Sequence, residues 1–159
     1  MEKDILLEEG KKDFEVLVFD AGGNSYGINV DCIREILPYK NKPTPIPNSH
    51  PFIEGIIRPR DFLIPIVDLV KSLKLVKVEN LSHEMLIVTT INNLNIAFHV
   101  DSVSGIHRVN KTEVAKPGKK LSTSVKNAVI GIINKADIKV ELLEFRRIIS
   151  EINPEINLG

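Results

Sequence analysis

Two blocks of sequence recur in the same order in the two halves of the chain. Residues 26–36, YGINVDCIREI, match residues 96–106, IAFHVDSVSGI, in a pattern of small, apolar and polar residues followed by Val-Asp. A second block, FIEGII at 52–57, matches AVIGII at 128–133. Two ordered recurrences predict two similar small β units packed together. The alternative is a chance likeness between apolar strands.

Turn residues place two β-hairpins at corresponding points of this repeat. Gly22-Gly23-Asn24 follows the apolar run from Phe14 to Phe19 and should return the chain as a strand. Asn92-Asn93 separates Met85–Ile91 from Leu94–Val100. Gly and Asn tolerate the positive φ that tight hairpins need, and β-branched flanks favour strands.

The stretch from Phe52 to Val70 is predicted to form a strand, a polar turn, a second strand and a helix start. The turn is Arg58-Pro59-Arg60-Asp61, and Phe62 to Val67 is expected to be the second strand. Pro65 lies inside that run, which places it at a sheet edge or a barrel corner because proline cannot donate to a ladder. Asp68 is a predicted helix N-cap.

The whole chain, 1–159, is expected to be one domain. Its two β-barrel repeats are placed at about 12–83 and 84–140, with the option of exchanging strands between them. A rigid connector from Pro38 to Pro51 holds five of the nine prolines. Apolar residues at helical spacing predict an amphipathic helix over 141–152 that docks on the β core and ends at Asn153-Pro154.

Composition makes several classes of protein improbable. Lys plus Arg and Asp plus Glu both number 21, so the formal net charge is zero. Nucleic-acid binders ordinarily carry a basic excess. No apolar run approaches the roughly 20 residues that cross a bilayer, so no direct membrane insertion is expected. The single cysteine suits a reducing compartment and predicts a cytosolic protein.

No catalytic constellation emerges. Cys32 lies where the repeat has Ser102, and a buried small residue is the favoured interpretation over a nucleophile. The histidines lack metal-ligand spacing, so neither a metal nor a cofactor is predicted. An enzyme using the neighbourhood of His99 and His107 stays as a minor alternative.

Binding residues are the better candidates. Arg60 follows Pro59 at a hairpin tip and can bind a carboxylate through two N–H groups. From the residues alone, a solvated arginine or one paired with Asp61 is the favoured interpretation. Ile33 and Glu35 follow the first hairpin. Taken alone, Ile33 is more often core and Glu35 more often a solvated charge.

Four segments together resemble the CheW-like domain of chemotaxis coupling proteins. They are SYGINVDCIREIL, TPIPNSHPFIEGII, RPRDFLIPIVDL and IAFHVDSVSGIHRV. The opening ILLEEGKKDFEVLVFDAGG and the pair His107-Arg108 are similar more specifically to the N-terminal domain of CheV. The resemblance runs from about Ile5 to Ile152.

The resemblance implies a mostly β fold of two five-stranded barrels packed together, with short helices and a C-terminal amphipathic helix. It implies a non-catalytic adaptor that joins the cytoplasmic tip of methyl-accepting chemoreceptors to the regulatory domain of the chemotaxis histidine kinase. By motif match, receptor binding carries over to Ile33, Glu35 and Arg60. Kinase-binding residues are not assigned. The protein would be cytoplasmic and recruited to membrane-bound receptor arrays.

Three features depart from the family pattern. No receiver domain of the kind that follows in CheV proteins is present in this sequence. Asn110-Lys111 replaces an expected tryptophan, and Arg60-Asp61 replaces the Arg-Gly of CheW proteins. The alternative function is a generic small-barrel module for nucleic acid or a small ligand, which neutral charge and the lack of tryptophan disfavour.

Overall fold

The computed structural model describes residues 13–152, and within this range most of its regular secondary structure consists of β-strands. The predicted helix stop at Asn153-Pro154 lies outside the described residues. The strands are β1 Asp13–Ala21, β2 Asn24–Asn29, β3 Ile33–Pro38, β4 Ile53–Ile57, β5 Ile64–Asp68, β6 Met85–Ile91, β7 Leu94–Val100, β8 Ser102–Asn110, β9 Val114–Ala115, β10 Val129–Asn134 and β11 Lys139–Leu143. The helices are α1 Leu69–Ser72 and α2 Phe145–Ile152.

The strands form two sheets, which confirms the mostly β fold. One sheet has six strands in the order β8-β1-β2-β11-β10-β9, and the other has five in the order β3-β6-β7-β5-β4. The sixth strand of the larger sheet, β9, is only two residues long. Both hairpin turns lie where glycine and asparagine predicted them, with φ of 60° and 82° at Gly22 and Gly23 and of 51° and 65° at Asn92 and Asn93.

Neither sheet is built from one half of the chain. The first hairpin, β1-β2, joins the larger sheet with β8 to β11, whereas β6-β7 joins the smaller sheet with β3 to β5. The halves are joined by the antiparallel ladders β1-β8 and β3-β6. Two short parallel ladders complete the sheets: Ile66 of β5 is in register with Ala97 of β7, and Leu142 of β11 with Gly27 of β2. The two halves therefore exchange their first hairpins in an approximately symmetric way.

Three clusters of buried apolar residues hold the sheets together. A large cluster joins the two sheets and α2, and contains Phe19, Tyr26, Phe98 and Phe145. Smaller clusters lie against each sheet alone: one around Val16 and Leu142, the other around Ile66 and Val88. Since apolar burial is the main favourable term in folding, the shared cluster fixes the relative position of the sheets.

The predicted start of the C-terminal helix was wrong, and so was the placing of Pro65 at a sheet edge. The helix predicted over 141–152 begins only at Phe145, because Lys139–Leu143 forms strand β11 and buries Leu142. Helical and strand spacing overlap in such a short apolar run. Pro65 lies in β5, which has neighbours on both sides. It is tolerated because the ladder to β7 starts one residue later, at Ile66.

Asp68 caps α1 as predicted. Its Oδ1 accepts a hydrogen bond from the Lys71 backbone N–H at 3.0 Å. Leu69 and Leu73 are fully buried beneath this short helix. The cap ends β5 and turns the chain toward the loop that leads to β6.

Helix α2 is anchored through one aromatic side chain, and its removal should destabilise the whole fold. The ring of Phe145 stacks on that of Phe98 with centroids 3.9 Å apart, and the Phe145 residue is 2% exposed. We expect Phe145→Ala to lower the free energy of unfolding by about 3–5 kcal/mol, because a large core cavity is left behind. Urea denaturation followed by circular dichroism measures it.

The matched control on the same helix is Glu151→Ala, at an exposed position. It should change the free energy of unfolding by no more than about 0.5 kcal/mol. Equal effects of the two substitutions would mean that α2 does not dock through Phe145.

A candidate protein-binding surface

The turn between β4 and β5 has a left-handed backbone that projects Arg60. A single 3-10 turn spans Pro59–Asp61, with φ of 53° at Arg60 and 69° at Asp61. Proline fixes its own φ, and the two following residues reverse the chain. The Arg60 side chain is 70% exposed as a result. Glycine would adopt the second of these left-handed positions, at Asp61, without strain.

Arg60 pairs with Glu35 and not with the adjacent Asp61. Its Nη2 contacts both carboxylate oxygens of Glu35, which lies on β3. The Glu35 side chain is 21% exposed, so the pair lies at the surface but is partly screened from water. The structure therefore brings together two of the three residues singled out by the sequence.

Ile33 occupies the start of the same strand but points partly inward. It is half-buried and packs against the large core cluster. It is in register with Thr89 of β6, and Glu35 with Val88, so a bulge at Arg34 separates the two residues. A bulge bends a strand and redirects its side chains. Ile33 thus supports the surface from below, while Arg34 is pushed outward.

Four exposed residues next to this pair were not identified from the sequence. The guanidinium carbon of Arg34 lies 5.8 Å from the ring centroid of Phe62, and its Nη1 lies 3.5 Å from Asn95 Oδ1. Phe62 and Leu63 are 54% and 56% exposed, because they precede β5 and are not part of the predicted second strand. Leu94, in the β6-β7 hairpin, is 50% exposed.

We define the tip surface by these neighbouring residues from β3, the β4-β5 turn and the β6-β7 hairpin: Ile33, Arg34, Glu35, Arg60, Phe62, Leu63 and Leu94. A groove of about 420 Å³ continues from it toward α2, lined by Leu63, Leu94, Ile149 and Ile152 among others. Exposed apolar side chains rimmed by charges are typical of protein–protein interaction sites. The run Phe62-Leu63 directly after a polar turn was the signal in the sequence that could have indicated it.

The candidate catalytic residues do not come together. His99 contacts Glu54 and Glu84 in the smaller sheet, whereas His107, on β8, lies 3.7 Å from Asp137. Burial, with the Glu144 carboxylate as the next cause, raises the pKa of the Cys32 thiol to about 12. Its Sγ donates to the Asn29 carbonyl at 3.1 Å. In residues 13–152 no three His, Cys, Asp or Glu side chains are arranged to hold a metal ion.

Of the helices between residues 13 and 152, none is long and apolar enough to cross a membrane.

The loop Lys116 to Lys120 is exposed along its length, as expected of a solvated basic loop.

Comparison with known proteins identifies the family. The model of the CheW-like domain matches residues 15–153. The chain belongs to the CheW-like domain family. This is a family of non-catalytic scaffold and adaptor proteins of chemotaxis, so the prediction of a protein that is not an enzyme is confirmed on family grounds.

Relatives carry both names expected from the sequence. The chemotaxis protein CheW of Thermotoga maritima is 32% identical over 108 residues, which is 68% of this chain and 70% of that protein. The chemotaxis protein CheV3 of Helicobacter pylori is 31% identical over 103 residues, 63% of this chain but only 32% of CheV3. The crystal structure of the scaffolding protein TtCheW from Thermoanaerobacter tengcongensis has the same fold, with a TM-score of 0.78 at 23% identity, over 92% of this chain and 95% of that one.

Replacing Asp61 with glycine should stabilise the protein, because Asp61 has a φ of 69° that glycine adopts freely. We expect Asp61→Gly to raise the free energy of unfolding by up to about 1 kcal/mol, since relief of left-handed strain is partly offset by glycine's larger entropy in the unfolded chain. Urea denaturation measures it. The control is Asp137→Gly at the corresponding position of the repeat, which should be neutral or destabilising; the same gain there would exclude backbone strain as the cause.

Cys32 should be almost inert in the native protein. With its pKa near 12, little thiolate exists at pH 8, and the thiolate is the reactive form. We expect Ellman's reagent to react at least about a hundredfold more slowly with the native protein than with the urea-unfolded chain. Comparable rates would mean that the thiol is accessible and ionised.

Proposed function

We propose that this chain is a chemotaxis adaptor that binds the cytoplasmic tip of chemoreceptors through the tip surface and the regulatory domain of the chemotaxis histidine kinase through other parts of the barrels. The observation that carries the proposal is the contact between Arg60 and Glu35, which links β3 to the β4-β5 turn in the middle of an exposed apolar patch. The family assignment supports the chemotaxis role in general.

The chemistry of the tip surface suits a helical partner. A receptor tip ends in a coiled coil, and amphipathic helices bind by laying apolar side chains into a groove. Leu63 and Leu94 offer such contacts on the groove that leads to α2. Arg60 uses Nη2 for Glu35, and a guanidinium has further N–H donors for a carboxylate of the partner.

The adaptor acts through geometry and not through chemistry. Binding two partners at once fixes the kinase relative to the receptor, so a small change in the receptor alters the equilibrium of the kinase. In this proposal the protein works in the cytoplasm and is recruited to membrane-bound receptor arrays. Cofactors and nucleic acid have no part in it.

Reversing the charge of Arg60 should weaken receptor binding alone. We expect Arg60→Glu to raise the Kd for a receptor cytoplasmic fragment at least about tenfold, because arginines at interface centres carry a large share of the affinity. The Kd for the kinase regulatory domain should stay unchanged. Isothermal titration calorimetry with each partner measures both.

Two further variants sharpen this test. Arg108→Glu reverses an exposed arginine on β8, in the other sheet, and should leave receptor binding intact. The swap Glu35→Arg with Arg60→Glu restores an internal pair of opposite charge. Recovery of receptor binding in the swap would assign Arg60 to holding the turn, whereas continued loss assigns it to contact with the receptor. Failure of the unmodified protein to bind either partner would contradict the proposal as a whole.

A further inference from the structure

His99 lies between two carboxylates, each facing a different ring nitrogen. Its Nδ1 is 2.5 Å from Glu54 Oε2 and its Nε2 is 2.9 Å from Glu84 Oε1. The three side chains are between 16% and 29% exposed. The cluster lies across the smaller sheet: His99 is on β7, Glu54 is on β4 beyond the intervening β5, and Glu84 directly precedes β6.

With both glutamates ionised, this geometry requires both ring nitrogens to donate. A neutral imidazole has one N–H and one lone pair, whereas the imidazolium ion has two N–H groups. With His99 neutral, one carboxylate would face a lone pair at hydrogen-bond distance, which is repulsive. Between two carboxylates, both contacts are favourable only when the ring carries both protons.

The same cluster holds the start of the connector between β3 and β4. The Tyr39 hydroxyl donates to Glu54 Oε1 at 2.8 Å, and the Tyr39 ring stacks on the imidazole with centroids 3.8 Å apart. The Tyr39 backbone N–H donates to the Glu84 carbonyl at 3.0 Å. Further along, Thr44 exchanges two backbone hydrogen bonds with Ile56. The segment 39–43 is thus fastened at both ends, and the His99 cluster is the fastening at its beginning.

We propose that His99 is a proton-operated latch that fastens the start of the β3-β4 connector when doubly protonated and releases it when it loses a proton. In the closed state the imidazolium neutralises one of the two carboxylates, and its ring stacks on the ring of Tyr39. In the open state the remaining repulsion separates Glu84 or Glu54 from the ring, and the contacts of Tyr39 weaken with them. This inference does not depend on the proposed binding partners.

Other charged groups surround the latch. Asp68, at the end of β5, is directly in register with His99, and Asp101 follows β7. Both line a cavity of about 390 Å³ beside the cluster, together with Lys42, Lys71 and Lys77. The Asp101 carboxylate is held by the Gly22 N–H at 2.8 Å, and Asp68 caps α1. The two carboxylates therefore have partners of their own and do not compete directly for the imidazole protons.

The direction of the pKa of His99 agrees with this geometry. Burial opposes the charged ring, but the hydrogen bonds and charges of Glu54 and Glu84 outweigh it and raise the pKa above the ordinary 6.5. A histidine whose pKa is raised on folding stabilises the closed state fully below about pH 6.5, its value in an unfolded chain. That contribution is lost as the pH rises through the folded pKa, so the latch opens on the alkaline side.

The latch is not a general requirement of the scaffold. In the other half of the repeat, Asn29 occupies the position of His99 and Ile130 that of Glu54. Asn29 is buried, and its side chain accepts from the Asp31 N–H at 2.9 Å. The corresponding site is thus built without a titrating group, and the structure there folds in the same pattern.

NMR of the full chain between pH 5.5 and 9.5 tests the latch directly. Ring carbon shifts follow the titration of His99, and amide hydrogen exchange gives the protection factor at Tyr39. We expect the midpoint of the His99 titration to lie above pH 6.5. The protection factor of the Tyr39 amide should fall about tenfold to a hundredfold as the pH rises through that midpoint, because this is the effect of losing hydrogen bonds between charged groups. Protection at Val88, in the central strand β6, should stay constant.

Variants separate the latch from a general effect of pH. His99→Gln should have low Tyr39 protection that no longer responds to pH, and Glu84→Gln should lower the His99 midpoint. His107→Gln, on the larger sheet, should behave as the unmodified protein. A midpoint at or below 6.5, one unchanged in Glu84→Gln, or Tyr39 protection that is constant through the titration overturns the proposal. A parallel loss of protection at Val88 also overturns it, because the opening would then be global.

Discussion

Pairing between strands from the two halves of the chain is the constraint on which the rest of this structure depends. Two antiparallel ladders, β1-β8 and β3-β6, join the halves, and two short parallel ladders of two and three residue pairs join Tyr26 and Gly27 to β11 and Ile66 to Asp68 to β7. Gly27 lets β2 pack closely between its two neighbours, because a Cβ there would lie 2.5 Å from Val16 Cγ1 on β1 and 3.3 Å from Val140 Cγ2 on β11. Without the two parallel ladders each sheet would divide, β8-β1-β2 from β11-β10-β9 and β3-β6-β7 from β5-β4. The separated pair β5-β4 would be an isolated two-stranded hairpin, which is marginal in water.

The tip surface is a consequence of this exchange. Arg60 and Glu35 come from the first half of the chain, whereas Leu94 and Asn95 come from the second and reach the same patch because β6-β7 lies in the smaller sheet. The surface is therefore assembled only when the exchange is complete. Ion pairs at a protein surface contribute little to the free energy of unfolding. The charged contacts of the tip surface therefore define the shape of the site more than they hold the fold together.

The sequence predicted the parts of this fold that are encoded locally. Hairpins at Gly22-Gly23 and Asn92-Asn93 and the cap at Asp68 depend on a few adjacent residues, and all three are where the sequence placed them. Leu142 was assigned to a helix because the apolar spacing of a short strand runs directly into that of α2. The partner of Arg60 could not be identified, because nothing local distinguishes Asp61 from a glutamate 25 positions away. The proposed receptor-binding roles were inferred from the family resemblance and not from the chemistry of the residues themselves.

Comparison of corresponding positions in the two halves shows which residues the shared fold requires and which it does not. Gly55 and Gly131 correspond, as do the apolar residues around them, and both halves bulge there. Arg60 corresponds to Ala136 and His99 to Asn29, so the same scaffold folds without either charge. A buried or half-buried charge is costly to keep unless it is paired. The scaffold itself therefore does not require the charge of the exposed Arg60 or of the enclosed His99, as the proposed receptor contact of the one and the proposed latch of the other would lead us to expect.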